Sequence, residues 1–160
     1  MAIILVTGMS GTGKSTVLAE LARRGHMAVD TDYGDWSEWV PLADSSGSEQ
    51  LWREDRIDVL LSEHTEGALY ISGTVSNQGK FYPRLDTVVL LSAPLEVILE
   101  RVATRTTNPY GKTAEQRAEI AHYLDTVEPL LRAGSAAEID TRRPINEVAD
   151  ELERIAASIG

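Results

Sequence analysis

The stretch "VTGMSGTGKST", residues 6–16, joins an apolar run to a run of helix formers across three glycines and a lysine. Ahead of it, "AIILVT" (2–7) is short and almost wholly apolar, the pattern of a strand buried on both faces. Behind it, "KSTVLAELARR" (14–24) sets Val17, Leu18, Leu21 and Ala22 at helical spacing, and Gly25 supplies the stop. A strand that turns through glycines straight into a helix points to an α/β fold.

The rest of the chain repeats the alternation. "HMAVDT" (26–31), "GALYISGT" (67–74), "DTVVLLSA" (86–93) and "AAEIDT" (136–141) read as four more strands. "YGDWSEWVPLADSSGSE" (33–49) reads as turn-rich and irregular. A helix is expected over "QLWREDRIDVLLSEH" (50–64), striped by Leu51, Ile57, Leu60 and Leu61. Pro94 opens the helix "LEVILERVATR", and "TTNPYGKT" (106–113) is a loop. Residues 114–134 are helical with an interruption near Pro129, and 145–159 form a closing amphipathic helix. Strands alternating with helices predict a parallel sheet covered on both faces by right-handed crossovers. At 160 residues, with no repeat and no linker, the chain reads as one α/β domain spanning 1–160.

Composition removes whole classes of function. Without cysteine there is no disulfide, no thiolate metal site and no cysteine nucleophile. A net charge of −10 argues against general nucleic-acid binding, which depends on cations at phosphates. No apolar run is long enough to span a membrane, and the N-terminus reads as a strand instead of a leader. A cytoplasmic protein, monomeric or weakly homodimeric, with neither nucleic acid nor membrane as partner, is the expectation. His26, His64 and His122 are scattered and share no ligand spacing.

The glycines of the opening stretch match G-x-x-x-x-G-K-[ST] as Gly8, Gly13, Lys14 and Ser15, after a strand and before a helix. Glycine lets backbone N–H groups turn inward and approach phosphate oxygens, and the positive end of the helix points to the same place. Residues Gly8, Met9, Ser10, Gly11, Thr12, Gly13, Lys14, Ser15 and Thr16 therefore form the expected phosphate cradle. Lys14 is placed to reach the β- and γ-phosphates of a nucleoside triphosphate, and the Ser15 hydroxyl to be a ligand for Mg²⁺.

With that loop in place, the chain resembles the small P-loop kinases, the shikimate kinase, gluconate kinase and adenylate kinase group. The resemblance implies a five-stranded parallel sheet of order 2-3-1-4-5, a helical substrate-binding insert (about 33–66) and a lid (about 105–114). "DTD" (30–32) is similar to a shikimate kinase motif, which implies Asp30 near the metal and Asp32 on the acceptor hydroxyl. A carboxylate there can orient a hydroxyl and accept its proton, although strand-end aspartates also cap the next segment. "LWRED" resembles the aromatic–arginine step of the insert, implying Arg53 as a substrate or transition-state contact, with Arg56 on the same helical face. An arginine paired to Glu54 or Asp55 is the alternative. In "ISGT", Gly73 would let substrate approach the backbone, with Ser72 and Thr74 offering hydroxyls. "LERVATRT" looks like the helix entering the adenylate kinase lid, implying Arg101 against adenine and Arg105 on phosphates, with Lys112 adding charge. "DTRRP" resembles the adenine loop, placing Arg142 or Arg143, beside Pro144, against the base.

The chain departs from shikimate kinase where the latter clamps a carboxylate. If "VEPLL" aligns there, Val127 stands in place of the arginine, so a carboxylate substrate lacks its bidentate partner. Meanwhile Asp30, Asp32, Asp35 and Glu38 interleave with Tyr33, Trp36 and Trp39. Carboxylates and aromatic faces suit a polyhydroxylated ring bearing ammonium groups, with Asp32, Asp35 and Trp36 as contacts. Trp36 and Trp39 at i, i+3 equally fit core packing of a short helix. Three readings stand: an ATP- and Mg²⁺-dependent kinase of a small hydroxylated metabolite such as an aminocyclitol, a nucleoside or nucleoside monophosphate kinase, and a non-catalytic ATP sensor. No N-K-x-D guanine motif is present.

Overall fold

The computed structural model describes residues 1–106 and 108–159; Thr107, inside the expected lid, and Gly160, the end of the expected domain, lie outside the described residues. Its elements run β1 (Ala2–Thr7), α1 (Lys14–Arg23), β2 (Met27–Asp30), β3 (Ser37–Pro41), β4 (Ser48–Trp52), α2 (Glu54–Glu63) and β5 (Ala68–Ser72). A 3₁₀ segment (Gln78–Arg84) follows, then β6 (Thr87–Ser92), α3 (Leu95–Thr104), α4 (Ala114–Thr126), α5 (Glu128–Ala133), β7 (Ala137–Asp140) and α6 (Ile145–Ile159). The main sheet is parallel, in the order β2-β5-β1-β6-β7. Counting its five strands in chain order, this is the expected 2-3-1-4-5.

Alternation along each strand splits the core in two. Ile4, Val6, Tyr70, Val89 and Leu91 face one layer with Leu18 and Leu21 of α1 and Val148 and Leu152 of α6. Ile3, Leu5, Leu69 and Ile71 face the other with Trp52, Ile57 and Leu61 of the insert and Phe81. The central strand β1 is buried at every residue, which is why its sequence shows no polar face. Because all five strands are parallel, their C-terminal ends share one edge, and the β1–α1 turn opens there.

Gly25 ends α1 as expected. Its φ of 93° places it in the left-handed region. The N–H of Gly25 donates to Ala22 O at 3.0 Å and that of His26 to Leu21 O at 3.1 Å, a Schellman pair. The interruption at Pro129 also forms: α4 stops at Thr126 and α5 begins at Glu128 with the proline in its first turn.

The insert differs from its expected form. Residues 33–36 and 42–47 are turns as expected, but 37–41 and 48–49 are strand, and the helix does not begin at Gln50. β3 and β4 pair as an antiparallel hairpin, with Ser37 opposite Trp52 and Trp39 opposite Gln50. The turn is closed by Leu42 N–H to Gly47 O at 2.9 Å, Ser45 takes φ 61°, and Asp44 accepts from the Ser46 N–H at 3.0 Å. Helix α2 starts only after Arg53. In this geometry Trp36 and Trp39, three residues apart, diverge instead of sharing a helical face. Trp36 packs on the core while Trp39 is 70% exposed.

Candidate active site

The glycine loop is built by contacts that no other residue type permits. An added Cβ on Gly8 (φ 156°) would stand 2.5 Å from Leu91 O and 2.7 Å from Thr12 Oγ1. Thr12 is fully buried and closes the loop, its hydroxyl donating to Met9 O at 2.7 Å. Gly13 takes φ 97° immediately before α1. That helix starts with no side-chain cap and no acidic residue in its first turn, so its N–H groups and positive end remain available to an anion. Lys14 Nζ folds over the loop, donating to Gly8 O at 2.7 Å and Met9 O at 3.1 Å. Burial holds its ammonium below the ordinary lysine range, against the opposing pull of Asp32 and Asp30.

Two carboxylates from the end of β2 face this loop. Asp30 Oδ2 accepts from Ser15 Oγ at 2.5 Å, and Asp30 Oδ1 accepts from the Asp32 N–H at 3.1 Å. The hydroxyl–carboxylate pair is a hard-oxygen donor set that suits Mg²⁺. Asp32 borders the cleft, and desolvation there pushes its carboxyl above the usual aspartate range, with Asp30 adding and Lys14 opposing.

Helix α3 supplies the opposite wall. Arg101 donates to Gly11 O at 3.3 Å and to the Oγ1 and O of Thr141 at 2.9 and 2.6 Å, tying the loop to the β7–α6 turn. Arg105 donates to Tyr110 O at 2.7 Å and Ser10 Oγ at 3.4 Å, so the start of the expected lid is latched to the glycine loop. Lys112 does not join them: its ammonium donates to Ala103 O and Arg105 O, capping the carbonyl end of α3. The neighbouring arginines of the β7–α6 turn separate. Arg142 is ion-paired to Asp140 at 2.7 Å, whereas Arg143 lines the cleft. Pro144 does not line it; its carbonyl accepts from Glu147 and Val148 and starts α6.

Together these elements enclose a cleft of about 660 Å³. Met9, Ser10, Gly11, Gly13, Lys14, Ser15 and Thr16 line its middle. Arg101, Thr104, Thr141, Arg143 and Ile145 line the α3–α6 part, and Asp32, Tyr33, Gln50 and Thr74 line the part beside β2 and the hairpin, with Arg105 and Asn108 bordering from the α3 side.

Several expected substrate contacts lie elsewhere. Arg56 stacks on the Trp36 ring with its guanidinium carbon 4.5 Å from the centroid, and also donates to the carbonyls of Gly34 and Asp35. Arg53 is paired to Glu38 at 3.2 Å, not to Glu54 or Asp55. Asp35, at φ 63°, shapes the turn that Arg56 holds. None of these four borders the cleft. Ser72 is buried within β5, so its hydroxyl is not offered to the cleft. Gly73 does permit a close approach, but the approaching group is internal: an added Cβ would lie 2.8 Å from the Trp52 ring. Thr74 alone of that trio lines the cleft, its hydroxyl bonded to Gly8 O.

Gln50, Thr104, Asn108, Thr141 and Ile145 line the cleft although no motif in the sequence marks them. Thr104 carried a signal, since it follows Arg101 at i+3 on a helix already assigned to the site. Gln50 carried none, because its position depends on a hairpin whose sequence reads as irregular up to Glu49 and as the start of a helix from Gln50.

The family described as "AAA domain" matches residues 4–122, and the chain belongs to it. Its fold is that of the small P-loop kinases. Shikimate kinase from Acinetobacter baumannii, solved in complex with shikimate, superposes with a TM-score of 0.66 at 21% identity, over 99% of this chain and 94% of that one. A gluconokinase from Sinorhizobium meliloti 1021 gives a TM-score of 0.61 at 22% identity, over 99% and 95%. Shikimate kinase from Bacteroides thetaiotaomicron gives 0.62 at 16%, over 96% and 97%. No curated protein matches the sequence. Among the described residues no helix is long and apolar enough to cross a membrane.

Proposed function

We propose that this protein is an ATP-dependent phosphotransferase acting on a hydroxyl of a small metabolite, with a polyhydroxylated amine such as an aminocyclitol as acceptor. The kinase reading draws on the glycine loop, on the family and on folds shared with shikimate kinase and gluconokinase. The acceptor reading draws on one observation: at the hairpin end the cleft offers Asp32, Tyr33 and Gln50, while Arg53 and Arg56 are held away by Glu38 and Trp36. A carboxylate or phosphate acceptor would be left without a bidentate partner, whereas hydroxyls and an ammonium find acceptors.

Bound magnesium–ATP supplies the phosphoryl group and neutralises its charge. Ser15 and Asp30 would hold the metal, and the loop amides, Lys14 and Arg105 would place positive charge around the phosphates. Arg143, Thr141 and Ile145 would border the base. Asp32 would orient the acceptor hydroxyl and take its proton. The test is incubation with Mg·ATP and separate pools of aminocyclitols and aminoglycosides, sugar acids and shikimate, and nucleosides with their monophosphates. Mass spectrometry should find one added phosphoryl group in the first pool. A product only among sugar acids or nucleotides would overturn the acceptor assignment, and no product in any pool beside tight ATP binding would favour a sensor.

A further inference from the structure

We infer that Trp52 is a positioning residue: through Thr31 it locks the Asp30–Asp32 pair to the hairpin that carries Gln50. The inference rests on the kinase reading above, but its geometry is independent of any acceptor.

Thr31, between the two carboxylates, is 1% exposed. Its hydroxyl donates to Ser72 O at 2.7 Å and accepts from the Trp52 indole N–H at 2.9 Å. One side chain thus joins the end of β2 to the end of β5 and to the last residue of β4. Trp52 is itself immobilised. Asn77, 8% exposed, accepts from the Trp52 N–H and donates to the Trp52 carbonyl, both at 3.0 Å, as a neighbouring strand would. The indole ring lies on Gly73, where any Cβ would strike it at 2.8 Å, and packs against Phe81 with centroids 5.8 Å apart.

This arrangement is costly unless the position matters. A phenylalanine at residue 52 would fill the same apolar niche without a buried N–H to satisfy. The hydrogen bond instead fixes the backbone on which Asp30 and Asp32 stand. Gln50 lies two residues before Trp52 on the same strand face, so the same anchor bears on both Gln50 and Asp32, which line the cleft beside β2 and the hairpin. Misplacement by an ångström in such a constellation is expensive, because transfer depends on alignment of acceptor oxygen and phosphate.

Four variants test this: Trp52→Phe, Thr31→Val, which keeps shape and loses the hydroxyl, the double variant combining those two, and Thr31→Ser, which keeps the hydroxyl. The readouts are Mg·ADP affinity against metal-free ADP affinity by calorimetry, hydrogen exchange of the Trp52 indole N–H by NMR, and thermal unfolding. Trp52→Phe and Thr31→Val should each weaken Mg·ADP binding about tenfold and leave metal-free ADP affinity unchanged. The double variant should be no worse than Thr31→Val alone, since Trp52→Phe removes only the indole–Thr31 bond that Thr31→Val already lacks along with its bond to Ser72 O. In Thr31→Val the indole N–H should exchange faster, and Thr31→Ser should restore wild-type affinity. Equal losses of both affinities, tracking a fall in unfolding temperature, would show a merely structural contact and overturn the inference. Wild-type Mg·ADP affinity in both variants would also overturn it. Failure of the wild type to bind Mg·ADP would overturn the kinase reading itself, and the inference with it.

Discussion

Asp32 carries the most chemistry for its size. It stands at the cleft with its carboxyl raised by desolvation and opposed by Lys14, the arrangement of a group that can take a proton from a neighbouring hydroxyl. Asp32→Asn keeps shape and polarity and loses the carboxylate proposed as the base. Transfer to the acceptor should fall by at least about a hundredfold, in keeping with general-base contributions, while Mg·ATP affinity measured by calorimetry stays within about twofold. An active variant would remove the base from Asp32. At this scale the sequence was legible wherever the chain dictates its own geometry. The loop from Gly8 to Thr16 is legible from spacing alone, because its glycines, lysine and hydroxyl are contiguous in the chain and its positive φ values favour glycine locally. Arg53 and Arg56 were misplaced for the opposite reason: a guanidinium on a long stem goes to whichever partner the fold brings near, here Glu38 and Trp36.

Elements show the same division. The parallel strands announced themselves as continuous apolar runs, and Gly25 and Pro129 marked their helix ends by backbone chemistry that acts locally. The hairpin of β3 and β4 did not. Its strands are five residues each, half-buried at most along much of their length, and "SEQLW" fits helix and strand periods equally. Tertiary contact decided it: Trp52, at the end of β4, lies against Gly73 and bonds Thr31. A second element-scale feature is the joint between α1 and α6, where Arg24 bonds Glu20 at 2.9 Å, Asp150 at 2.8 Å and Glu153. Arg23 and Arg24 hold the Glu20 carboxyl down from 4.5 to about 2. A carboxyl depressed in the folded state stabilises above its unfolded value and loses that contribution as pH falls. The unfolding temperature should therefore drop as pH falls from 4.5 towards 2. Glu20→Gln should melt lower than wild type at neutral pH, with the gap closing across that window in circular-dichroism melts. A gap independent of pH would show that the charge of Glu20 contributes nothing.

For the whole molecule, the cleft is assembled from distant parts of the chain: the glycine loop, the ends of β2 and β5, the hairpin, α3 and the β7–α6 turn. Arg101 and Arg105 already draw α3 onto the loop, and a nucleotide would add contacts along the same seam. Binding to the folded state alone stabilises it by mass action, about 2.7 kcal/mol at a hundredfold excess over Kd. For a domain of this length that is a rise of roughly 5–10 °C in unfolding temperature with Mg·ATP, readable by scanning fluorimetry. Lys14→Ala should abolish most of the shift while melting normally without ligand. An unshifted wild type would refute nucleotide binding.

The sequence by itself determined the five strands, their alternation with helices and the glycine loop, because hydrophobic period and positive φ at glycine are properties of neighbouring residues, while the strand order followed from the resemblance to the small P-loop kinases. Only the tertiary structure decided the acceptor end. Which arginine is free, which tryptophan is buried and which carboxylate meets the cleft depend on partners dozens of residues away, brought into reach only once the sheet has closed its two cores.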